Sequence, residues 1–163
     1  MAVKIRKFSL IHAKDYKKIL DNKDIKWHGK YTVKPIPLSD IKKYIRQQMK
    51  IKNYCEFAII VDDKFVGTIS IEKIDKLNKN ANIGYWVAKS YRGKGIATKA
   101  VKLAVKFGFS KFKLKRIYAT VRKDNVASCK VLENVGFDRE GLLRKSVFRK
   151  GKFYDERLYS VLK

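Results

Sequence analysis

Apolar residues along this chain switch repeatedly between a two-residue and a three-to-four-residue spacing, and each switch marks a change between strand and helix. Residues 3–10 read as a first strand, followed by short helical pieces through Leu20. Pro35 and Pro37 then interrupt regular structure. Ser39 stands before Ile41, Tyr44, Ile45 and Gln48, whose spacing predicts a helix with one buried stripe and Ser39 at its N-cap. Residues 55–61 and 65–74 are apolar or alternating runs joined by Asp62-Asp63-Lys64, the pattern of a hairpin, and residues 75–80 form a polar loop.

Residues 81–87 predict another strand, and Gly84 within it predicts a bulge. Such a break would leave backbone groups near Trp86 and Val87 free to bind something other than a neighbouring strand. From Ile96 a helix would bury Ala97, Ala100, Val101, Ala104 and Gly108 against a sheet and leave Lys99, Lys102 and Lys106 in water. A strand over 116–121 and a helix over 127–135, stopped by Gly136, follow. Strands over 137–143 and 147–162 complete the chain, with Arg149-Lys150-Gly151-Lys152 as a turn.

Length and composition fit one compact domain, residues 4–163: the chain has 163 residues, 45% of them hydrophobic and 12% aromatic. No apolar run approaches the ~20 residues of a membrane span. The N-terminus lacks the apolar segment of a secretion signal. Cys55 and Cys129 are widely separated and read as reduced thiols. A cytoplasmic protein without membrane association is the expectation. His12 and His28 are isolated, so no metal site is expected.

Charge changes the picture more. Forty basic residues face 15 acidic ones, a formal net charge of +25, and 14 of the bases lie between Lys76 and Lys123, a segment with no acid at all. A phosphate-bearing ligand would be steered onto such a face. The surplus over any single small ligand points either to an anionic macromolecule such as ribosomal RNA or to a general lysine bias. No RNA-binding motif of the ribonucleoprotein or KH type is evident.

The acid-free segment contains Tyr91-Arg92-Gly93-Lys94-Gly95-Ile96-Ala97-Thr98, a glycine-rich turn between a strand and a helix. Backbone N–H groups there, with the positive end of the helix dipole, suit an anion. It is not a Walker A loop, which needs four residues between its first glycine and Gly-Lys-Ser/Thr. Nor is it a dinucleotide fingerprint: Thr98 stands where the third glycine is needed, and no ribose-binding carboxylate follows. Arg92 to Ala97 instead resembles the pyrophosphate-binding loop of the GNAT acetyltransferases. Ile83-Gly84-Tyr85-Trp86-Val87, Asp124-Asn125-Val126-Ala127-Ser128 and Gly136-Phe137-Asp138-Arg139-Glu140-Gly141 resemble, in order, three further elements of that family's RimJ/RimL-type branch, which acetylates protein N-termini.

The resemblance implies an α/β (α+β) GNAT fold, a mixed, mostly antiparallel sheet flanked by helices, whose central strands part. It implies acetyl-coenzyme A as co-substrate, held by Trp86, Val87, Arg92, Gly93, Lys94, Gly95, Ile96, Ala97, Thr98, Asn125 and Ser128. Ser128 is expected to donate to the coenzyme sulfur, because Leu132 stands where many relatives carry a tyrosine. Cys129 is expected to pack. Glu72 is the candidate base, since Val147 occupies the position of a glutamate used by some relatives. The expected acceptor is a protein N-terminal α-amine. A polyamine or aminoglycoside is the alternative, for which Asp155 and Glu156 would supply local acidity, and a basic nucleic-acid- or ribosome-binding module is a distant third. The sequence leaves the oligomeric state open.

Overall fold

The computed structural model describes residues 1–22, 35–149 and 151–163. Seven strands and four helices follow one another as β1 (Val3–Lys7), α1 (Ala13–Asp21), α2 (Leu38–Met49), β2 (Tyr54–Val61), β3 (Lys64–Asp75), β4 (Asn80–Val87), α3 (Ile96–Lys111), β5 (Arg116–Arg122), α4 (Val126–Glu133), β6 (Asp138–Arg149) and β7 (Lys152–Leu162). His28 and Lys150 lie outside the described residues. The strands form one sheet in the order β1-β2-β3-β4-β5-β7-β6. Only the β4–β5 pair is parallel; every other neighbour is antiparallel. The expected mixed, mostly antiparallel sheet is what the chain forms.

Alternation along the strands sends side chains to two layers. Phe57, Ile59, Ile69, Ile71 and Ile83 meet Ala100, Val101 and Ala104 of α3 on one face. Ala58, Ile60 and Phe65 meet Tyr16 and Ile19 of α1 and Ile41 and Ile45 of α2 on the other. Ile41 and Ile45 are fully buried, each worth about 1.5–3 kcal/mol relative to exposure. Gly108 brings α3 close to the sheet: a Cβ there would stand 2.9 Å from Ile117 Cδ1.

Several details depart from the pattern-based expectation. α2 begins one residue before Ser39, with Pro37 at its N-cap, because a proline needs no N–H partner at a helix start. The hairpin turn at Asp62 and Asp63 is as expected, with φ of 47° and 59°. β6 is a single long strand through Arg149, with register shifts between Arg139 and Gly141 and between Leu143 and Val147, the second around Lys145 with φ 50°.

Gly84 is not a bulge. Ser70 pairs with Gly84 and Ile71 with Ile83 in unbroken register, and the shift on this pair lies between Glu72 and Asp75. A Cβ on Gly84 would lie 3.1 Å from Glu72 Oε1 and 3.3 Å from Ser70 Oγ. The glycine therefore makes room for two polar side chains of β3 rather than for an extra residue.

Candidate active site

What frees the backbone of β4 is divergence of the next strand. β4 pairs with β5 only from Asn80–Arg116 to Asn82–Tyr118. Beyond that point β5 stays with β7 as far as Arg122, so the sheet opens beside residues 83–87. Ala88 N–H donates to Val66 O on β3 at 2.8 Å. By alternation the Val87 peptide faces the opposite edge, into the opening. There Arg92 Nε donates to Val87 O at 2.9 Å, tying the loop to the strand it follows.

A cavity of about 610 Å³ occupies this opening, within the range of small-molecule sites. Trp86, Val87, Arg92, Gly93, Gly95, Ile96, Ala97, Thr98, Asn125 and Ser128 all line it. The structure thus brings together ten of the eleven positions expected to hold the coenzyme. The Lys94 side chain turns away: its Nζ donates to Ser90 O at 3.2 Å and lies 5.7 Å from the centre of the Tyr91 ring.

Gly93 and Gly95 have φ of 74° and 71°, a left-handed conformation costly for other residues. Gly95 caps α3 without a side-chain hydrogen bond, and the first turn contains no acid. The first helical bond is Lys99 N–H to Gly95 O, so the N–H groups of Ile96, Ala97 and Thr98 have no partner within the helix. A diphosphate fits these donors and the dipole behind them.

Ser128 sits in the first turns of α4. Asn125, the N-cap, accepts from Ser128 N–H through Oδ1 at 3.3 Å. Ser128 Oγ lies 2.8 Å from Tyr85 Oη, which also donates to Ser128 O at 3.2 Å. Burial pushes the Tyr85 phenol up to about 12, against a smaller opposing effect of the Ser128 hydrogen bond, so Tyr85 keeps its proton. Sequence reasoning missed Tyr85 as a functional residue. Alternation with Ile83 and Val87 places it on the helix side of the sheet, but no nearby letter marks its contact with Ser128.

Glu72 does not line the coenzyme cavity. It pairs with Asn82 across β3 and β4, and its carboxylate leans over Gly84 on the α2 side of the sheet. Ser70 Oγ donates to Oε1 at 2.5 Å and Asn82 Nδ2 to Oε2 at 3.4 Å. Gly84 is among the first β4 residues past the point where β5 departs. The carboxylate and the Ser128–Tyr85 pair therefore flank the opening from opposite faces.

Glu56 lies beside this group, opposite Ser70 on β2, and was also missed. Its carboxyl is raised chiefly by burial, against hydrogen bonds from Thr68 and Tyr54, and further by the charge of Glu72. Its Oε2 is buried without a hydrogen-bond partner among the described residues. Tyr44 is pushed up to about 12, first by burial and then by Glu56 and Glu72. Tyr16 stacks on Trp86 at 5.7 Å. Two carboxylates within an aromatic wall make this face attractive to a cationic nitrogen.

Cys129 and three further acids make contacts within the fold. Cys129 is 2% exposed, with Arg157 Nη1 3.6 Å from its sulfur. Asp155 accepts from Lys145 N–H and Glu156 from Ser146 Oγ across the β6–β7 pair. Glu140, from the Gly136–Gly141 motif, forms a bidentate pair with Arg116 and accepts from Ser160 at 2.6 Å. Among the described residues no three metal-ligating side chains cluster, and no helix is long and apolar enough to cross a membrane.

A sheet opened between β4 and β5, with an anion-binding helix start at its mouth, defines an acyl-coenzyme A-dependent transferase. The chain belongs to the GNAT acetyltransferase family: the family model described as "Acetyltransferase (GNAT) domain" matches residues 3–138. It is 36% identical over 158 residues to "Probable N-acetyltransferase YjcK" of Bacillus subtilis, covering 95% of this chain and 78% of that protein. It is 35% identical over 104 residues to the ribosomal-protein-serine acetyltransferase of Escherichia coli, covering 64% of this chain and 58% of the other. The spermidine N(1)-acetyltransferase of the same organism is 29% identical over 119 residues, covering 72% and 62%. Among solved structures, the microcin C7 self-immunity acetyltransferase MccE, in complex with acetyl-CoA and AMP, superposes with a TM-score of 0.85 at 27% identity, covering 99% of this chain and 92% of that one. The protein is an acetyl-CoA-dependent N-acetyltransferase.

Proposed function

We propose that the acceptor is a protein N-terminal α-amine and that it takes the acetyl group directly, with both substrates bound together. The observation that carries this reading is the position of Glu72 over Gly84, on the face opposite Ser128. Bound acetyl-CoA supplies an acetyl thioester, whose transfer to nitrogen releases a thiolate. Glu72 accepts the ammonium proton at its carboxylate, held in place by Ser70 and Asn82. As the C–N bond forms and the C–S bond breaks, Ser128 Oγ passes a proton to the departing sulfur. It takes in exchange, through water, the second proton that the nitrogen sheds on becoming an amide, with the Tyr85 hydroxyl hydrogen-bonded beside it. Trp86 and Val87 hold the coenzyme beside β4, while the Arg92–Thr98 loop and Asn125 hold its phosphate end.

The acceptor follows from cost. Deprotonating an α-amine of pKa about 7.7–8.0 at pH 7 costs about 1 kcal/mol, whereas a lysine at about 10.4 costs about 4.6 kcal/mol. A base that stands aside from the coenzyme cavity suits the easier nitrogen. Glu72→Gln should lower kcat by about 100-fold with acetyl-CoA affinity unchanged. Unchanged kcat under conditions where chemistry limits the rate would remove Glu72 from the reaction.

One observation favours a small polyamine instead. Glu56 and Glu72 stand on neighbouring strands, on the same face of the sheet, near enough for one charge to act on the other, and two carboxylates suit a molecule with more than one ammonium.

A further inference from the structure

We propose that a second anion site, for the phosphodiester chain of a single-stranded nucleic acid, lies at the end of the molecule remote from the coenzyme loop. A cavity of about 480 Å³ opens there between the end of β1, the α2–β2 connection, the β3–β4 turn and the C-terminal end of α3. Lys7, Lys52, Lys76, Lys79, Lys111 and Lys113 all line it, and all six are exposed. α3 is 16 residues long, so the coenzyme loop at its start is about 24 Å from this cavity at its end. These lysines do not serve acetyl-CoA.

Two explanations for a lysine cluster fail to cover this one. Lysines often neutralise carboxylates, yet the ion pairs among the described residues are Lys17–Asp21, Arg116–Glu140 and Arg122–Asp124, and none uses a lining lysine. Glu56 is the one acid in the lining. Lysines also gather at helix C-termini because of the dipole. That accounts for Lys111 and Lys113, but Lys7, Lys76 and Lys79 come from strands and a turn. Lys79 and Lys113 moreover hold φ of 52° and 56°, a region normally left to glycine or asparagine. Both turns present a cation where a glycine would be easier.

Six positive charges around one concavity exceed what a single small anion needs. A phosphodiester chain presents successive single charges, and its neutralisation by lysine gives salt-dependent affinity that reports the number of contacts. The proposal goes beyond acetyl transfer and holds whichever amine is the acceptor.

The test uses the full chain with saturating acetyl-CoA, so that the coenzyme loop is closed to competing phosphates. Binding of a fluorescein-labelled 12-nucleotide RNA, and of the DNA of the same sequence, is followed by anisotropy from 50 to 200 mM KCl. Wild type should bind at least one of the two, with a log–log salt slope of about −4 for six contacts. Lys76→Gln/Lys79→Gln/Lys113→Gln should weaken binding about tenfold or more and flatten the slope by about 2. Lys14→Gln/Lys18→Gln/Lys43→Gln removes the same charge from α1 and α2 and should change affinity less than about twofold. Both variants should keep acetyl-CoA affinity by calorimetry, which verifies the fold. Equal losses in the two variants would reduce the effect to the overall field, and no binding of either strand at 50 mM salt would remove the site. Either result overturns the proposal.

Discussion

At the residue scale, the Ser128–Tyr85 pair is the part of the site with the most direct consequence. The two hydroxyls lie 2.8 Å apart, and Tyr85, raised to about 12 by burial, is a donor throughout the working pH range. Ser128→Ala should lower kcat by about 10- to 1,000-fold with little change in acetyl-CoA affinity. Tyr85→Phe should cost less, because Ser128 keeps its own proton. The double variant should lose little more than Ser128→Ala alone, since the tyrosine acts through the serine. Single-turnover kinetics of the four proteins decides it: full additivity would mean that the two hydroxyls act independently.

At the element scale, the loop entering α3 and the fastening of β5 can each be tested. A Cβ on Gly93 or Gly95 would meet nothing within 4 Å, so the protein itself has room for a side chain. The penalty lies in φ, about 1–2 kcal/mol per residue, and in the space the diphosphate needs. Gly93→Val/Gly95→Val should therefore lose acetyl-CoA affinity far beyond its loss of stability, measured by calorimetry and thermal melting together. Equal affinity in this variant would sink the loop as the phosphate site.

The Arg116–Glu140 pair ties the start of β5, where it is still paired with β4, to β6. Hydrogen bonds from Arg116 and then Ser160 hold the Glu140 carboxyl down at about 2. Its contribution is thus present above the ordinary glutamate pKa of about 4.3 and is lost as pH falls through the folded value. The Glu140 side chain is 35% exposed, so screening keeps the effect modest. The melting temperature of wild type should exceed that of Glu140→Gln above pH 5, and the gap should close between pH 4 and 2. A gap that persists at pH 2 would assign the difference to packing.

The same scale explains what the sequence could and could not reveal. Helices α2 and α3 were legible because Ile41 with Ile45, and Ala100 with Ala104, repeat on one face. The candidate phosphate loop stood out because its pattern is local: Arg92 to Thr98 are contiguous, and Gly93 and Gly95 take the positive φ that glycine favours. The opening of the sheet was misplaced onto a bulge at Gly84, because divergence of β5 after Tyr118 is a property of two strands far apart in sequence. Glu56 and Tyr85 were missed for the same reason. Burial of a carboxylate opposite Ser70, or contact of a phenol with a helix 43 residues later, has no signature in the neighbouring letters.

At the scale of the whole molecule, a net charge of +25 opposes a sheet face that carries two neighbouring carboxylates, and the choice of acceptor turns on which prevails. The field acts before contact. It lowers the local concentration of any polycation approaching the surface, and salt weakens it over a Debye length of about 10 Å at 0.1 M. The two carboxylates act after contact, and Glu56 is pushed towards its neutral form by burial and by Glu72. That shift weakens the attraction of Glu56 for a second ammonium relative to that of an ordinary carboxylate. An α-amine is also neutral far more often at pH 7 than an aliphatic amine of pKa near 10. A peptide with a small free N-terminal residue should therefore be acetylated with a higher kcat/KM than spermidine at low ionic strength, and added salt should narrow the gap. If spermidine instead exceeds every peptide tested, and Glu56→Gln abolishes that preference, the paired carboxylates outweigh the field and the acceptor is a polyamine.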